Sequence, residues 1–446
     1  MMTRHSVRFI QLCLPLLMLG CPQEYEATPI KTPAPAEPLT QLDATITVID
    51  YELPDGGYLG AQMAAIQCDG EEALVVIDPT YPDDRGSLYV IEELPDRGLH
   101  RIDTVSGHPL YGPDDGTKGA WTIASADVGR DGCDDYWLAG NSSAFLFEGN
   151  FAPYLMEQAI SVVYGENREY RRDVDVKDVH EEGPTLLVQN AGFGRLYLGS
   201  AGSFPEEMYP EDARIEFVDS FGAMSLIDID GDGALDVAEA NGVHGLSVFL
   251  APESGTYVRA DADIRLEEPQ GAQFGGSKLL VADFDGDGIE ELIVPDVGDR
   301  DTRGSVYGFD DHPVGQSVQA GAVFTVEGGV REFFGISLTW LAEQNALLVG
   351  AYIHDAPALE GEPPAPDCGP DGVYPEVCVG DEGAVYIVSG PFEGHLEPSA
   401  LIEATPLYHG FGENMVVAWD HLVVMGRGEW NLDPNELFFY PLDQLP

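Results

Sequence analysis

The chain of 446 residues contains 78 Asp and Glu but only 21 Lys and Arg, which gives a formal net charge of −57. A surface this acidic repels nucleic acid and anionic lipid headgroups, because both are bound through basic patches. With 52 Gly and 32 Pro, the composition also disfavours a helical bundle and favours turn-rich β structure. The charge suits a protein that holds metal ions or meets a cationic partner.

The first twenty residues have the organisation of an export signal. Arg4 and Arg8 precede an apolar run at 9–19 that is too short to cross a bilayer as a helix. The run ends in Met-Leu-Gly-Cys, which resembles a bacterial lipobox, whose cysteine becomes the lipid-carrying first residue. We therefore predict a lipoprotein signal peptide at 1–20 and lipidation of Cys21. An ordinary cleavable signal is the alternative.

Residues 21–42 contain five prolines and few apolar side chains, which predicts an extended tether between a membrane and a folded domain. Pro22 follows the predicted lipid-carrying cysteine, so the Asp that retains many lipoproteins at the inner membrane is absent. By resemblance to such systems we expect a bacterial cell-envelope protein. Its only membrane contact would be a lipid anchor, and the outer membrane is the expected location.

Four further cysteines lie in the predicted exported chain, where an oxidising compartment permits disulfides. Cys368 and Cys378 are ten residues apart in a segment rich in Pro and Gly, and we expect a bridge between them. Cys68 and Cys133 are the remaining pair, and their bridge requires two separate loops to meet.

One pattern recurs from residue 43 to the end of the chain. An aromatic-Gly pair opens it, and two short apolar strands follow, joined by a turn rich in Gly and Asp. After a variable loop comes Gly-x-Val/Leu-Tyr with alternating apolar residues. Copies begin at Phe221-Gly222, Phe274-Gly275, Phe334-Gly335 and Phe411-Gly412, another begins at Leu59-Gly60 with Leu in the aromatic position, and weaker copies occupy 121–149 and 173–199.

The pattern predicts an all-β fold. Seven copies of roughly 50–60 residues, each with about four short alternating strands, are typical of propeller blades. We therefore predict a seven-bladed β-propeller over 43–446 with four-stranded antiparallel blades. Residues 44–50 are expected to supply a strand that pairs with the last blade and closes the ring.

The recurring Phe-Gly pair, acidic turn and Gly-x-Val-Tyr strand resemble the FG-GAP/VCBS repeat family. This family includes the N-terminal propeller of integrin alpha chains and propellers of bacterial surface proteins. The resemblance extends over essentially all of residues 43–446 and implies an integrin alpha-like propeller with calcium-binding loops.

Three acidic loops match the metal loops of that family. Acids at alternate positions of a tight turn can point at one centre, and Ca²⁺ takes six to eight oxygen ligands. The third loop has Gly129 where the others have an acid. The resemblance adds a backbone carbonyl at the seventh position of each loop. The expected ligands are Asp228, Asp230, Asp232, Ala234 and Asp236; Asp283, Asp285, Asp287, Ile289 and Glu291; and Asp127, Asp131, Cys133 and Asp135.

An EF-hand is the competing interpretation, because Asp228 to Glu239 formally matches its loop. The other two loops have Val294 and Leu138 at the twelfth position, and the flanking residues are β-like rather than helical. The pattern therefore favours the propeller loop, with a structural Ca²⁺ that holds two strands of a blade together.

The sequence has no Gly-x-Ser-x-Gly, no His-Glu-x-x-His and no phosphate loop, so we do not expect an enzyme. The resemblance places the acidic loops on one face and the loops after each second strand on the other, where recognition is expected. We predict an adhesion or binding module for an extracellular or envelope protein or glycan. A polysaccharide hydrolase or lyase is the alternative. The candidate ligand-binding residues are Tyr81, Arg300, Tyr352, Tyr374, Arg427 and Trp430.

Overall fold

The structure of the protein is a computed structural model. The described residues lie in one compact unit, Ala36–Pro446. The predicted signal peptide, the tether, Cys21 and the predicted Cys368–Cys378 bridge fall outside them. The described residues are 44–49, 58–79, 86–106, 109–111, 122–140, 143–149, 159–165, 173–179, 183–190, 192–200, 203–220, 222–267, 273–275, 278–297, 303–310, 313–330, 333–354, 382–403, 410–427 and 435–445.

Short strands make up most of the first half of the described chain. A single-turn helix, α1 (Ile102–Val105), follows β5, and a 3-10 turn (Pro210–Asp212) follows β14. The strands are β1 (Ile46–Ile49), β2 (Gln62–Cys68), β3 (Glu71–Asp78), β4 (Ser87–Ile91), β5 (Gly98–Arg101), β6 (Leu110–Tyr111), β7 (Thr122–Ala126), β8 (Asp135–Ala139), β9 (Ser143–Phe147), β10 (Ser161–Tyr164), β11 (Asp173–Val179), β12 (Gly183–Asn190), β13 (Gly192–Leu198), β14 (Glu207–Met208) and β15 (Ile215–Ser220).

The second half has the same character. It contains the helix α2 (Val318–Gly321) and 3-10 turns at Arg259–Asp261 and Leu442–Gln444. Among the described residues no helix is long and apolar enough to span a membrane. The strands are β16 (Ala223–Ile227), β17 (Asp236–Asn241), β18 (Gly245–Phe249), β19 (Gly255–Tyr257), β20 (Ile264–Leu266), β21 (Leu280–Ala282), β22 (Glu291–Asp296), β23 (Arg303–Phe309), β24 (Phe324–Val330), β25 (Phe334–Leu341), β26 (Ala346–His354), β27 (Glu382–Ser389), β28 (Gly394–Leu396), β29 (Ala400–Glu403), β30 (Met415–Ala418), β31 (His421–Gly426) and β32 (Glu436–Pro441).

The described strands form seven sheets, and each sheet is one blade of a propeller. From the inner to the outer strand, blades 1 to 7 are β2-β3-β4-β6, β7-β8-β9-β10, β11-β12-β13-β15, β16-β17-β18-β20, β21-β22-β23-β24, β25-β26-β27-β29 and β30-β31-β32-β1. Neighbouring strands within these sets are antiparallel. The predicted all-β, seven-bladed propeller with four-stranded antiparallel blades is therefore confirmed.

The blades close into a ring. The inner strand of each blade contacts the inner strand of the next, and β30 of blade 7 contacts β2 of blade 1. The amino-terminal strand β1 is the outer strand of blade 7 and pairs antiparallel with β32, with Ile46 opposite Phe439 and Ile49 opposite Glu436. The predicted closing strand is thus confirmed, and it joins the two ends of the propeller domain in one sheet.

A fifth, parallel strand extends four of the sheets, which the sequence did not reveal. β5 lies beside β1, β14 beside β10, β19 beside β15, and β28 beside β24. Each fifth strand belongs to the connection between the third and fourth strands of the following blade. It covers an outer edge that would otherwise expose unpaired N–H and C=O groups.

The hydrophobic core is divided among the spaces between adjacent blades. In β3, Leu74 and Val76 pack in a cluster with blade 7, whereas Val75 and Ile77 pack in a cluster with blade 2. Successive side chains of a strand point to opposite faces, so a blade that is buried on both faces has a continuous apolar middle strand. This explains why the second strand of each repeat shows no polar alternation.

The aromatic-Gly pair is part of the contact between blades. Phe334 begins the first strand of blade 6, and Phe411 lies just before the first strand of blade 7. Both side chains are buried. The glycines that open the third strands of the preceding blades pack against these phenylalanines. A Cβ at Gly304 would lie 2.1 Å from the Phe334 carbonyl oxygen, and one at Gly383 would lie 1.9 Å from that of Phe411. The two ends of the sequence repeat therefore form one contact.

The Gly of the pair is required for two reasons at Gly275. Its φ is +69°, a left-handed conformation, and a Cβ there would lie 2.2 Å from the carbonyl oxygen of Ala240 in blade 4. A side chain would strain the backbone and also separate two blades.

Gly275→Ala is expected to lower the free energy of unfolding by about 2–4 kcal/mol, since backbone strain and a steric clash combine. Gly70→Ala is the matched control. Gly70 has a φ of +83° in the β2–β3 turn with open space around it, so only strain of about 1–2 kcal/mol is expected. Urea unfolding measures both losses. Equal losses would contradict the close approach of blades 4 and 5.

Candidate metal centres

The three acidic loops occupy equivalent places in the fold. Each connects the first and second strands of a blade: β7 and β8 in blade 2, β16 and β17 in blade 4, and β21 and β22 in blade 5. All three therefore lie at the same end of the ring. Because strands rather than helices flank every loop, the EF-hand alternative is wrong.

The loop of blade 5 brings four carboxylates together. Asp283, Asp285, Asp287 and Glu291 each offer an oxygen, and these oxygens all lie within 4.8 Å of one another. Backbone N–H groups hold the arrangement. Gly286 donates to Asp283 Oδ1 at 2.7 Å, and Ile289 donates to Asp287 Oδ1 at 2.8 Å. The turn thus directs acids from alternate positions towards one centre.

Glu291 is the innermost of the four. Its side chain is fully buried, and Oε2 accepts the Phe284 N–H at 2.7 Å. Within the described residues the buried Oε1 has no hydrogen-bond partner. Burial, reinforced by the nearby charges of Asp285 and Asp283, raises the pKa of Glu291 to about 7. A buried oxygen without a partner beside three other carboxylates fits a hard cation with oxygen ligands.

The loop of blade 4 is similar but less compact. Asp228, Asp230 and Asp236 have oxygens within 4.8 Å of one another, whereas Asp232 is outside this group and accepts the N–H of Ala234 at 2.7 Å. Asp236 accepts two backbone N–H bonds, yet burial raises its pKa to about 6. Among the described residues the buried Oδ1 of Asp228 has no hydrogen-bond partner.

The loop of blade 2 is organised differently. Asp127 accepts the N–H groups of Asp131 and Gly132 at 3.1 and 3.0 Å, and Asp135 accepts that of Gly129 at 2.9 Å. Burial raises the pKa of Asp135 to about 6. Over the described chain, however, these acids do not form a group with oxygens within 4.8 Å, as the other two loops do.

A disulfide to blade 1 and an ion pair to blade 3 hold the blade 2 loop in place. Cys133 forms a disulfide with Cys68 at the end of β2, which confirms the bridge that needed two loops to meet. Arg130, which follows the glycine at the third position, pairs with Asp178 of β11 at 2.7 Å. Sequence reasoning missed this ion pair, because the partners are 48 residues apart on different blades.

Two of the six candidate ligand-binding residues are described, and the structure brings them together. Arg427 Nη1 donates to the Tyr352 hydroxyl at 3.3 Å and lies 3.8 Å from the Glu413 carboxylate. The guanidinium also lies 4.1 Å above the ring of Tyr58. The cluster joins blades 6, 7 and 1 at the end of the ring opposite the acidic loops. Tyr81, Arg300, Tyr374 and Trp430 fall outside the described residues.

Sequence reasoning missed Tyr58 and Glu413. Tyr58 lies directly beside Leu59-Gly60 and Glu413 directly beside Phe411-Gly412, the pairs that open two of the repeats, so the repeat itself carried a signal for their location. Burial raises the pKa of Glu413 despite the opposing effect of Arg427, and burial also raises the pKa of the Tyr352 hydroxyl.

Comparison with known proteins supports the repeat. Residues 228–294 match the family model of the FG-GAP-like repeat, a segment that contains both complete acidic loops. The chain is thus a seven-bladed β-propeller that contains an FG-GAP-like repeat, and this combination suggests a ligand-binding or protein-interaction propeller. No curated protein matches the sequence.

Solved structures with a similar fold include a chain of a mitotic checkpoint complex. The two chains are 10% identical, the alignment covers 98% of each, and the TM-score is 0.49. A chain from BBS1N in complex with ARL6DN is 11% identical, with 90% of this chain and 98% of that chain covered and a TM-score of 0.41. A chain from Chaetomium thermophilum Polycomb Repressive Complex 2 bound to GSK126 is 7% identical, with 89% and 98% covered and a TM-score of 0.47. No function follows from these likenesses.

The raised carboxyl pKa values predict an effect of pH on stability. The folded state holds protons more tightly at Glu291, Asp236 and Asp135 than the unfolded chain, whose carboxyls titrate near pH 4. The contribution of these groups to the stability of the metal-free protein therefore falls as pH rises from about 4 to about 7. Urea unfolding of dialysed, metal-free protein across this range measures the slope. Glu291→Gln is expected to reduce it, and an unchanged slope in that variant would contradict the assignment.

Proposed function

We propose that this protein is a calcium-stabilised propeller that presents a binding face to an extracellular or envelope protein or glycan. The observation that carries the calcium assignment is the buried, unpartnered Oε1 of Glu291 among three further carboxylates. Leaving such an oxygen buried without a partner is costly, and a divalent cation removes that cost. Ca²⁺ prefers oxygen ligands, and the acidic side chains at alternate positions of the loop supply them.

The residues that would hold calcium lie in the acidic loops of blades 4 and 5, here called the two compact loops. Asp283, Asp285, Asp287 and Glu291 would do so in blade 5, and Asp228, Asp230 and Asp236 in blade 4. The carbonyls of Ala234 and Ile289 and the carboxylate of Asp232 remain proposed ligands, as do Asp127, Asp131, Cys133 and Asp135 in blade 2. A bound cation would neutralise the loop acids and hold the first two strands of a blade together.

The proposed location is the bacterial cell envelope. The lipobox-like Met-Leu-Gly-Cys and the proline-rich segment after it support a chain that is lipidated at Cys21 and tethered to the outer membrane. The Cys68–Cys133 disulfide is consistent with an oxidising compartment.

The proposed binding face is the end of the ring opposite the acidic loops. Loops on a rigid scaffold are where recognition usually occurs, and Tyr, Trp and Arg dominate binding hot spots. The contacts of Arg427 with Tyr352 and Tyr58 fix one part of this face across three blades. We propose binding rather than catalysis, because the sequence has no Gly-x-Ser-x-Gly, no His-Glu-x-x-His and no phosphate loop.

Calcium is expected to raise the melting temperature of the full chain by about 2–5 °C. At about 1 mM calcium, two sites with Kd near 10⁻⁴ M would each add about 1–2 kcal/mol. Glu291→Gln should lose about half of this gain, because it keeps the shape of the side chain but removes its charge. Glu327→Gln, an exposed acid of the same blade, is the matched control and should retain the full gain. Identical melting curves in excess EDTA and in calcium would overturn the calcium assignment.

The binding face can be tested with immobilised panels of purified envelope proteins and surface glycans. Trp430→Ala and Tyr374→Ala are each expected to weaken binding by about tenfold or more, the effect of losing an aromatic hot spot. Tyr209→Ala is the matched control, because Tyr209 is an exposed tyrosine beside the outer edge of blade 2. Equal binding by all three variants would contradict the assignment of this face.

A further inference from the structure

The two compact acidic loops touch each other. The backbone N–H of Asp228, the first residue of the blade 4 loop, donates to Glu290 Oε2 of the blade 5 loop at 3.2 Å. In addition, Gly231 of blade 4 lies against Ile289 of blade 5, such that a Cβ at Gly231 would be 3.0 Å from the Ile289 Cδ1 atom. The contact is therefore made by two pairs of residues.

The contacting residues are ligand residues or their direct neighbours in the chain. Asp228 belongs to the carboxylate group of blade 4, and Gly231 separates Asp230 from Asp232. Glu290 directly precedes Glu291, the buried carboxylate of blade 5. Any ligand that fixes the segment around Glu291 also fixes the two side chains on which the blade 4 loop rests.

A third blade takes part through Glu290. Its carboxylate forms an ion pair with the ammonium group of Lys177, which lies on the inner strand β11 of blade 3. The same oxygen of Glu290, Oε2, therefore accepts from the Lys177 ammonium group and from the Asp228 N–H.

The blade 2 loop makes a corresponding contact with the blade before it. Asp134, which occupies the same loop position as Glu290, accepts the N–H of Gln67 from blade 1 at 2.9 Å. The residue before it, Cys133, is bonded to Cys68 of blade 1. The hairpin of blade 1 that the blade 2 loop contacts is a short turn at Asp69-Gly70 and holds no acidic loop. In blades 4 and 5, in contrast, the same contact joins two acidic loops.

We propose that the loops of blades 4 and 5 bind calcium cooperatively, with Glu290 and Ile289 as the residues that couple them. This proposal rests on the proposed calcium function. Binding at the blade 5 loop orders Ile289 and Glu290, so the blade 4 loop loses less conformational freedom when it binds in turn. Linkage requires the effect to be reciprocal, so binding at blade 4 favours binding at blade 5 by the same factor.

Calcium titrations of the full chain by isothermal calorimetry test the coupling. All proteins carry Asp127→Asn, so that the blade 2 loop does not contribute. Glu291→Gln leaves only the blade 4 loop intact, and Asp228→Asn leaves only the blade 5 loop intact. In the protein with both loops intact, calcium binds with two stepwise association constants. Their product, divided by the product of the association constants of the two single-loop variants, gives the coupling factor. We expect a factor of about five or more, the lower end of typical allosteric coupling.

Glu290→Ala is expected to bring the coupling factor close to one while both loops still bind calcium. Ile289→Ala is a second variant, which removes the packing against Gly231 but leaves the backbone carbonyl in place, and it should reduce the factor as well. Asp310→Ala is the matched control, because Asp310 of blade 5 acts on Asp285 by charge, so the variant changes the charge around the loop while Glu290 and Ile289 stay in place. It should lower calcium affinity slightly and leave the coupling factor unchanged.

The outcomes separate the two proposals. Absence of any binding heat in the parent protein would overturn the calcium function itself. Binding of two ions with a coupling factor near one would overturn the cooperativity and leave the calcium function standing. A factor of about five that persists in both Glu290→Ala and Ile289→Ala would overturn the role of these residues.

Discussion

The structure depends on one constraint, which is that every blade is apolar on both faces. A sheet with two apolar faces is not stable in water alone, and each blade therefore needs a neighbour on either side. An open row of such blades would leave its two end faces exposed. The ring removes both ends, and the pairing of β1 with β32 fixes its closure with strands from opposite ends of the chain. The hydrophobic clusters between blades are the energetic consequence of this closure.

Closure has an electrostatic consequence as well. Equivalent blades turn their first hairpins towards the same end of the ring, so the three acidic loops gather there in a chain that already carries a formal charge of −57. The loops bury part of this charge, as the raised pKa values of Glu291 and Asp236 show. A nearby cation would favour the charged form of such a carboxyl and offset the cost of its burial. This effect adds to the buried, unpartnered Oε1 of Glu291 as support for the proposed calcium ions.

The sequence predicted the features that repeat, and it could not predict those that depend on register between blades. The period, the strand pattern and the spacing of acids identified seven blades and two compact carboxylate groups. The parallel fifth strands were missed, because Glu207–Met208 is too short to show a period. The Arg130–Asp178 and Lys177–Glu290 pairs were missed for another reason. They join blades whose relative registers are set by packing alone.

The loops of blades 2 and 5 both contact the preceding blade, but different interactions stabilise the two loops. In both, the residues at the seventh and eighth positions rest on the hairpin of the preceding blade. In blade 2 the Cys68–Cys133 bond secures this contact. Gly129 stands at the third position in place of an acid, and Arg130 supplies a positive charge next to Asp127. Its loop therefore carries less uncompensated negative charge than that of blade 5. The blade 5 loop has no such bond in the described structure, and its stability must come from whatever compensates the charge of its four carboxylates.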